Sequence, residues 1–125
     1  MKVPENLLYT KEHEWISTKD NAVKVGITDF AQSQLGDIIF LELPEVGDQI
    51  VAGESFGEIE AVKTVSELYA PIDGTILEVN EDLEDSPDNI NQDCYGTGWI
   101  IKVSYEGDLE SNDLLDHKAY LNLIE

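Results

Sequence analysis

Lys63 is the residue best placed in this sequence to do chemistry, because it is a lone cation among acidic neighbours at a predicted turn. The chain has 27 acidic residues against seven basic ones, all of them lysine. The charged residues closest to Lys63 in the sequence are Glu58, Glu60 and Glu67. An exposed amine in this setting is suited to modification by another protein, although most turn lysines are simply solvated. Both interpretations are open at this point.

Two predicted strands position the lysine. Ile59 and Ala61 alternate with acidic residues before it, and Leu68 and Ala70 alternate with polar residues after it. A period of two residues is typical of a strand with one buried face. The pattern therefore predicts a β-hairpin whose two-residue loop is Lys63–Thr64, although neither residue has the Asn-Gly or Gly-X chemistry that such loops prefer.

The remaining sequence predicts a mostly β chain with one early helix. Many short apolar segments are separated by Gly, Pro and Asp turns, which is typical of a compact β-sandwich or barrel. A half-buried strand is predicted at 23–27, and a helix of about two turns is predicted from Thr28–Asp29, which offer capping oxygens, to Gly36. Residues 37–43 are apolar on both faces, which predicts a strand inside the sandwich. Similar segments at 46–50 and 73–76 bracket the hairpin and indicate two quasi-equivalent halves.

Two further segments have distinct patterns. Residues 80–91 are polar and acidic, which predicts a loop with at most one helical turn. The C-terminal tail is predicted to be helical from about residue 109 to 125, with Ser111 capping a turn that holds Leu114–Leu115 and Asp116 capping another. Its apolar stripe is predicted to pack in the core; the stripe comprises Tyr120, Leu123 and Ile124.

Composition limits the class of partner and the compartment. The length of 125 residues predicts one domain, and the formal charge of −20 excludes nucleic acid and anionic membranes as partners by electrostatic repulsion. The single cysteine, Cys94, forbids an internal disulfide and has no cation beside it to activate a thiolate. The N-terminus has no signal-peptide pattern, and no apolar run approaches the length of a membrane span. We therefore expect a cytoplasmic monomer in which Cys94 has no catalytic role.

Motifs for catalysis and metal binding are missing from the sequence. The only histidines, His13 and His117, lack the spacing of a zinc site and have no convincing nucleophile partner. Gly96-Thr97-Gly98 lacks the third glycine of a dinucleotide fingerprint and precedes a strand. We therefore expect no catalytic residue and no metal, and a carrier or binding module is favoured over an enzyme.

Several motifs together resemble one family. The lysine hairpin resembles those of lipoyl and biotinyl carrier domains. Biotin carriers have methionine on both sides of the lysine, where this chain has Val62 and Thr64. The lipoyl domains of 2-oxoacid dehydrogenases usually have Asp before the lysine, where this chain has Val62. The flanking motifs resemble the H proteins of the glycine cleavage system over nearly the whole chain, with Ala61 in place of a common Ser. These motifs are Tyr9–Trp15, Gly26–Gln32, Leu35–Ile38, Leu43–Gly47 and Gly98–Trp99.

The resemblance implies a fold, a cofactor and partners. The fold would be a flattened lipoyl/biotinyl-carrier sandwich, a barrel-sandwich hybrid, in a single domain 1–125 with an N-terminal extension of about 1–36. Lys63 would carry lipoic acid as an amide. The arm would take an aminomethyl group from glycine decarboxylase (P protein), deliver it to the aminomethyltransferase (T protein), and be reoxidised by dihydrolipoamide dehydrogenase (L protein). A lipoyl-attaching enzyme would be a fourth partner.

The resemblance also implies a cleft that shelters the loaded arm from water. Glu14 matches a family residue that contacts the amino group of the arm, and Glu67 is a further contact, with residues 28–35 as one wall. The alternative for Glu14 is a solvated acid at a strand edge. For the whole chain, the alternatives are an unmodified acidic adaptor that keeps the fold, or a lipoate donor to other proteins.

Overall fold

Two antiparallel sheets form the structure, and the lysine hairpin belongs to the smaller one. The computed structural model describes residues 2–18, 22–105 and 114–124. Strands run over Leu8–Tyr9 (β1), Glu14–Ser17 (β2), Val23–Ile27 (β3), Ile38–Glu42 (β4), Gln49–Ile50 (β5), Ser55–Ala61 (β6), Val65–Tyr69 (β7), Gly74–Val79 (β8) and Ile101–Tyr105 (β9). Helices run over Asp29–Leu35 (α1), Asp82–Asp85 (α2), Asn89–Asp93 (α3) and His117–Ile124 (α4).

The sheets have six and three strands. The larger has the order β1-β2-β3-β9-β8-β5, and the smaller has the order β4-β6-β7. The two segments that bracket the hairpin in the sequence pair with each other, because Gln49 lies opposite Thr75 and Ile50 lies opposite Gly74. The predicted mostly β sandwich-type fold is confirmed.

One cluster of buried apolar side chains draws on both sheets. It includes Ile16 and Val25 from the larger sheet and Ile59 and Leu68 from the lysine hairpin. These residues are the inward members of alternating strands, as the period of two predicted. Burial of this shared cluster fixes the hairpin against the rest of the protein, since burying each such side chain stabilises the fold by about 1.5–3 kcal/mol.

A second buried cluster joins the two ends of the chain. It contains Leu7, Tyr9 and Trp15 from the N-terminal segment and Tyr120 from α4. Tyr9 and Leu115 exchange two backbone hydrogen bonds of 2.7 Å each. The N-terminal strands and the C-terminal helix therefore pack as one unit.

The prediction that residues 37–43 form an interior strand was wrong. β4 is an edge strand of the smaller sheet, and Ile39 and Phe40 are 49% and 57% exposed. The pairing with β6 shifts between Ile38 and Phe40. This bulge places consecutive apolar side chains on the solvent side, and a strand with such an irregularity no longer alternates strictly.

Residues 80–91 and the tail also differ from prediction. α2 and α3 occupy most of the segment predicted as a loop, and each packs one apolar side chain, Leu83 and Ile90, into the core.

In the tail, Leu114 lies outside any helix and Leu115 forms an isolated β-bridge with Tyr9. The backbone of Tyr9, which is distant in the sequence, supplies hydrogen-bond partners that a prediction from local helix propensity does not take into account. Ser111 lies outside the described residues. Asp116 does cap α4, accepting a bond from Ala119 N–H at 2.8 Å. In the apolar stripe, Tyr120 is buried, whereas Leu123 faces solvent at 46% exposure.

Candidate functional site

The tip of the lysine hairpin consists of Val62 and Lys63. Ala61 N–H donates to Thr64 O at 2.8 Å and closes the turn, so the predicted Lys63–Thr64 loop was wrong by one residue. Val62 N–H donates to Asp37 O, 3.1 Å away, which extends the pairing of β4 with β6 one residue beyond Ile38 and Ala61. Both residues at the tip point their side chains into solvent.

The Lys63 side chain is exposed, and it forms no ion pair with any residue in the described parts of the chain. Its stem crosses Gly36, where a Cβ would lie 3.4 Å from Lys63 Cε and 3.8 Å from Nζ. Together with Leu35 and Asp37 these residues line a shallow groove of about 280 Å³. The amine is therefore reachable, and it lies beside the end of α1.

Gly36 is held in place by α1 and by Asn91. Its N–H donates to Gln32 O at 3.0 Å, which ends the helix with Gly36 at a φ of 81°. Asn91 Nδ2 donates to Gly36 O at 2.8 Å, while Asn91 Oδ1 accepts from Ile38 N–H at 2.9 Å. Sequence reasoning missed Asn91 because it lay in a polar segment predicted as a loop. The apolar Ile90 beside it was the available sign of a packed helix.

A cleft of about 350 Å³ lies between the β1–β2 turn, α1 and β7. Leu35 lines both this cleft and the groove at Lys63, so the two are neighbours. The part of residues 28–35 that lines it consists of Phe30, Ala31, Gln34 and Leu35, and its other lining residues are Glu12, His13, Glu14, Ile27, Ile59, Ser66, Glu67 and Leu68.

Glu14 is a buried acid, so the alternative of a solvated strand-edge residue was wrong. It is 2% exposed on β2. Thr10 Oγ1 donates to its Oε1 at 2.7 Å, and Tyr69 N–H approaches its Oε2 at 3.4 Å. Burial away from water raises the pKa of Glu14 to about 8, against the lowering effect of these two bonds. Near pH 7 the carboxyl group is therefore largely protonated.

Glu67 lies on the same cleft but is exposed. Tyr69 Oη donates to Glu67 Oε2 at 3.1 Å, and this bond together with the carboxylate charge raises the pKa of the Tyr69 phenol. The structure thus places Glu14 and Glu67 on one cleft, whereas Lys63 lies on the adjoining groove, which meets the cleft at Leu35. Glu12, which sequence reasoning missed, adds a third carboxylate to the cleft lining.

Cys94 and His117 lie outside this neighbourhood. Burial raises the pKa of the Cys94 thiol to about 12, so it carries no thiolate near neutral pH. His117 Nδ1 is 2.7 Å from the carbonyl oxygen of Val3.

The arrangement combines an accessible amine with a partly apolar cleft that contains carboxyl groups. The amine can be acylated by a visiting enzyme, and the cleft can hold an aliphatic chain with a cationic end. None of the helices that the structure describes is long and apolar enough to traverse a bilayer.

Comparisons with known proteins agree on one family. The family model for "Glycine cleavage H-protein" matches residues 7–125. The chain is 54% identical over 125 residues to a glycine cleavage system H protein of Bacillus licheniformis, covering 100% of this chain and 98% of that one. It is 50% identical to one of Staphylococcus carnosus, covering 99% and 98%.

A solved structure has the same fold. The crystal structure of a glycine cleavage system H protein from Mycobacterium marinum superposes with a TM-score of 0.85 at 43% identity, covering 96% of this chain and 97% of that one. Since the family match spans almost the whole sequence and relatives share about half of its residues, the chain belongs to the glycine cleavage H-protein family.

Proposed function

We propose that this chain is the lipoyl-bearing carrier of a glycine cleavage system, with the lipoyl group joined as an amide to Lys63 Nζ. The observation that carries the proposal is the exposed Lys63 amine at a hairpin tip. Its groove meets the cleft at Leu35. Membership of the glycine cleavage H-protein family supports the proposal that the chain works in a glycine cleavage system. The chain acts as a carrier subunit and contributes positioning, with no catalytic residue of its own.

The residues present fit a lipoyl group. The cleft offers an apolar wall for an aliphatic arm, formed by Phe30, Leu35 and Leu68 among others. The groove at Lys63 meets this cleft at Leu35, so an arm attached to the amine has an apolar surface to follow. When bound, the lipoyl group supplies a cyclic disulfide that takes up the aminomethyl fragment of glycine and is then left as a dithiol.

The chain serves three enzymes in turn. The glycine decarboxylase loads the aminomethyl group, the aminomethyltransferase removes it, and the dihydrolipoamide dehydrogenase restores the disulfide. Between the first two enzymes, the cleft residues keep water from the aminomethyl group. The formal charge of −20 favours long-range attraction to basic rims on these partners, an effect on association rates that salt weakens.

Glu14 and Glu67, which line the cleft, would hold the cationic amino group at the end of the loaded arm. Glu14 is largely protonated in the free protein, and a nearby cation lowers the pKa of a carboxyl group. A cationic amino group bound beside Glu14 would therefore favour loss of the Glu14 proton and pairing of the resulting carboxylate with the cation. Exposed Glu67 adds attraction at the mouth of the cleft.

Two alternatives to the carrier function predict different results in a lipoylation experiment. An unmodified acidic adaptor would take no lipoyl group, and a lipoate donor would pass its lipoyl group on to other proteins. Several expectations from the sequence stay predictions: the cytoplasmic location, the monomeric state, the N-terminal extension of about 1–36 and the C-terminal tail of about 109–125.

The test is intact-mass analysis after incubation with a lipoyl-attaching enzyme, lipoate and ATP. We expect wild-type protein and Lys118→Arg to gain one lipoyl group, because Lys118 is an exposed lysine on α4, away from the hairpin. Lys63→Arg should gain none. No addition to wild type, or an addition that persists in Lys63→Arg, would show the proposal to be wrong. Transfer of the label to a second lipoyl domain would favour the donor role.

A second experiment tests Glu14. In lipoylated protein loaded with the aminomethyl group, Glu14→Ala should speed the release of formaldehyde into water without preventing lipoylation. Glu81→Ala, which removes an exposed acid in the β8–α2 turn, is the matched control and should release it at the wild-type rate. Equal rates in the three proteins would remove Glu14 from the mechanism.

A further inference from the structure

Tyr120, near the C-terminal end of the chain, is hydrogen-bonded to both sides of the cleft. It lies on α4 and is 0% exposed, with its ring stacked on Tyr9 at a centroid distance of 4.6 Å. Its hydroxyl group is 2.7 Å from Thr28 Oγ1 and 2.9 Å from His13 Nδ1. A buried hydroxyl group needs hydrogen-bond partners, and both partners of this one lie where the β1–β2 turn meets α1.

Each of the two partners sets one wall of the cleft. Thr28 is the N-cap of α1, accepting from Ala31 N–H at 3.2 Å, and α1 supplies one wall. His13 lines the cleft itself and lies 4.9 Å from the Phe30 ring, measured between ring centroids. The Tyr120 hydroxyl group therefore spans the junction where the β1–β2 turn meets the start of α1.

His13 has an unusual backbone conformation at this junction. Its φ is 68°, the one positive value at a non-glycine residue in the described parts of the chain. Backbone bonds join its N–H to Thr10 O and its carbonyl oxygen to Thr28 N–H, at 3.1 and 3.0 Å. A left-handed conformation at such a residue persists only when its surroundings hold it, and such residues cluster at functional sites.

The two hydrogen bonds of the Tyr120 hydroxyl group each allow two donor assignments, and each consistent set places the ring proton of His13 on one defined nitrogen. Burial lowers the pKa of His13, which keeps its ring neutral at physiological pH. If Thr28 Oγ1 donates to Tyr120 Oη, Tyr120 donates to His13 Nδ1 and the ring proton of His13 lies on Nε2. In the reverse assignment, His13 Nδ1–H donates to Tyr120 Oη and Tyr120 donates to Thr28 Oγ1. In both assignments the Tyr120 hydroxyl group holds His13 in a single tautomer.

We propose that Tyr120 is a positioning residue that sets the cleft walls by joining His13 to the cap of α1. The role deepens the proposed function, on which it rests, because the cleft is where the loaded arm is sheltered. The C-terminal helix thereby contributes to protection of the arm without touching it.

The test compares Tyr120→Phe with Tyr9→Phe. Each variant removes one tyrosine hydroxyl group from the same aromatic pair and keeps the ring. The Tyr9 hydroxyl group donates to Pro4 O, and within the described ranges it has no bond to a residue that lines the cleft. The matched control therefore loses similar packing and polar contact, while the junction between His13 and Thr28 stays intact.

The first readouts use unmodified protein and do not depend on lipoylation. In wild type and Tyr9→Phe, ¹⁵N spectra should show a single tautomer of the His13 ring, and the Ala31 amide should exchange slowly. In Tyr120→Phe the two tautomers should mix, and Ala31 exchange should be about fivefold faster, as expected for loss of one hydrogen bond. An unchanged tautomer and exchange rate in Tyr120→Phe would overturn the proposal.

The last readout is formaldehyde release from the loaded protein. Tyr120→Phe should release formaldehyde about fivefold faster than wild type, because loss of one hydrogen bond should make separation of the cleft walls more frequent by the same factor. Tyr9→Phe should keep the wild-type rate. Equal acceleration in both variants, or none in Tyr120→Phe, would show that the hydroxyl group has no positioning role. Failure of lipoylation itself would contradict the proposed function and leave the spectroscopic result to decide on Tyr120.

Discussion

The side-chain stem of Lys63 lies directly across Gly36, the residue that ends α1, so closely that a Cβ at Gly36 would touch Lys63 Cε at 3.4 Å. This contact links the hairpin that presents the amine to the helix that walls the cleft. Gly36 has φ 81° and ψ −154°, a combination that is essentially confined to glycine. The contact between Lys63 and the end of α1 therefore depends on a backbone conformation that no other residue adopts readily.

Gly36→Ala should lower the free energy of unfolding by about 1–3 kcal/mol, because alanine is strained in this conformation. It should also shift the Lys63 side-chain resonances in NMR spectra, since the new methyl group meets the stem. Gly47→Ala is the control: its φ of 97° brings a similar strain, but nothing lies within 4 Å of the added Cβ. Denaturant unfolding measures the first effect. A Lys63 shift of equal size in both variants would contradict the contact.

Glu14→Gln should make stability less dependent on pH. The pKa of Glu14 is raised from 4.5 to about 8 in the folded protein, so the folded state holds a proton that the unfolded chain has lost. Stability from this group is fully present below pH 4.5 and is lost as pH rises towards 8. Relative to Glu14→Gln, wild type should lose up to about 1.4 kcal/mol per pH unit across this window. Parallel stability curves from pH 5 to 8 would contradict the buried, protonated state.

Glu67→Gln should lower the pKa of the Tyr69 phenol towards its ordinary value. The hydrogen bond to the Glu67 carboxylate and its charge are the main causes that raise this pKa, and a neutral amide removes the charge. A titration that follows the Tyr69 ring by NMR measures the change. Glu54→Gln, an exposed acid before β6, should leave it unaltered. An identical Tyr69 pKa in wild type and Glu67→Gln would place Glu67 away from Tyr69 in solution.

Glu58→Gln should stabilise the protein slightly. Glu58 is the cross-strand partner of both Glu42 and Glu67, so three exposed acids lie side by side on the smaller sheet. Like charges directly opposite each other destabilise a sheet, by roughly 0.2–1 kcal/mol per pair. The gain should shrink in 1 M salt, where screening is strong.

Thermal unfolding at low and high salt measures the effect of Glu58→Gln. Glu81→Gln, outside this row of acids, provides the control and should give a smaller gain. A gain for Glu58→Gln that does not depend on salt would point to a cause other than charge repulsion.

The sequence by itself determined the features that depend on neighbours along the chain. Alternating apolar residues on both sides of Lys63 predicted the hairpin, and the Thr28 and Gly36 caps predicted the ends of α1, as the structure confirms. These patterns report which face of an element is buried, and a strand or a helix cap is set by residues only a few positions apart.

Only the tertiary structure decided the state of Glu14, the edge position of β4 and the contacts of Tyr120. Glu14 is bonded to Tyr69, 55 residues away in the sequence, and Tyr120 is bonded to residues more than 90 positions away. Whether an acid is hydrated or buried, and which hydroxyl groups meet, depends on how separate elements pack. Local periodicity carries no information about that packing, so it predicted the hairpin at Lys63, while the cleft was expected only from the family resemblance and the burial of Glu14 was not predicted.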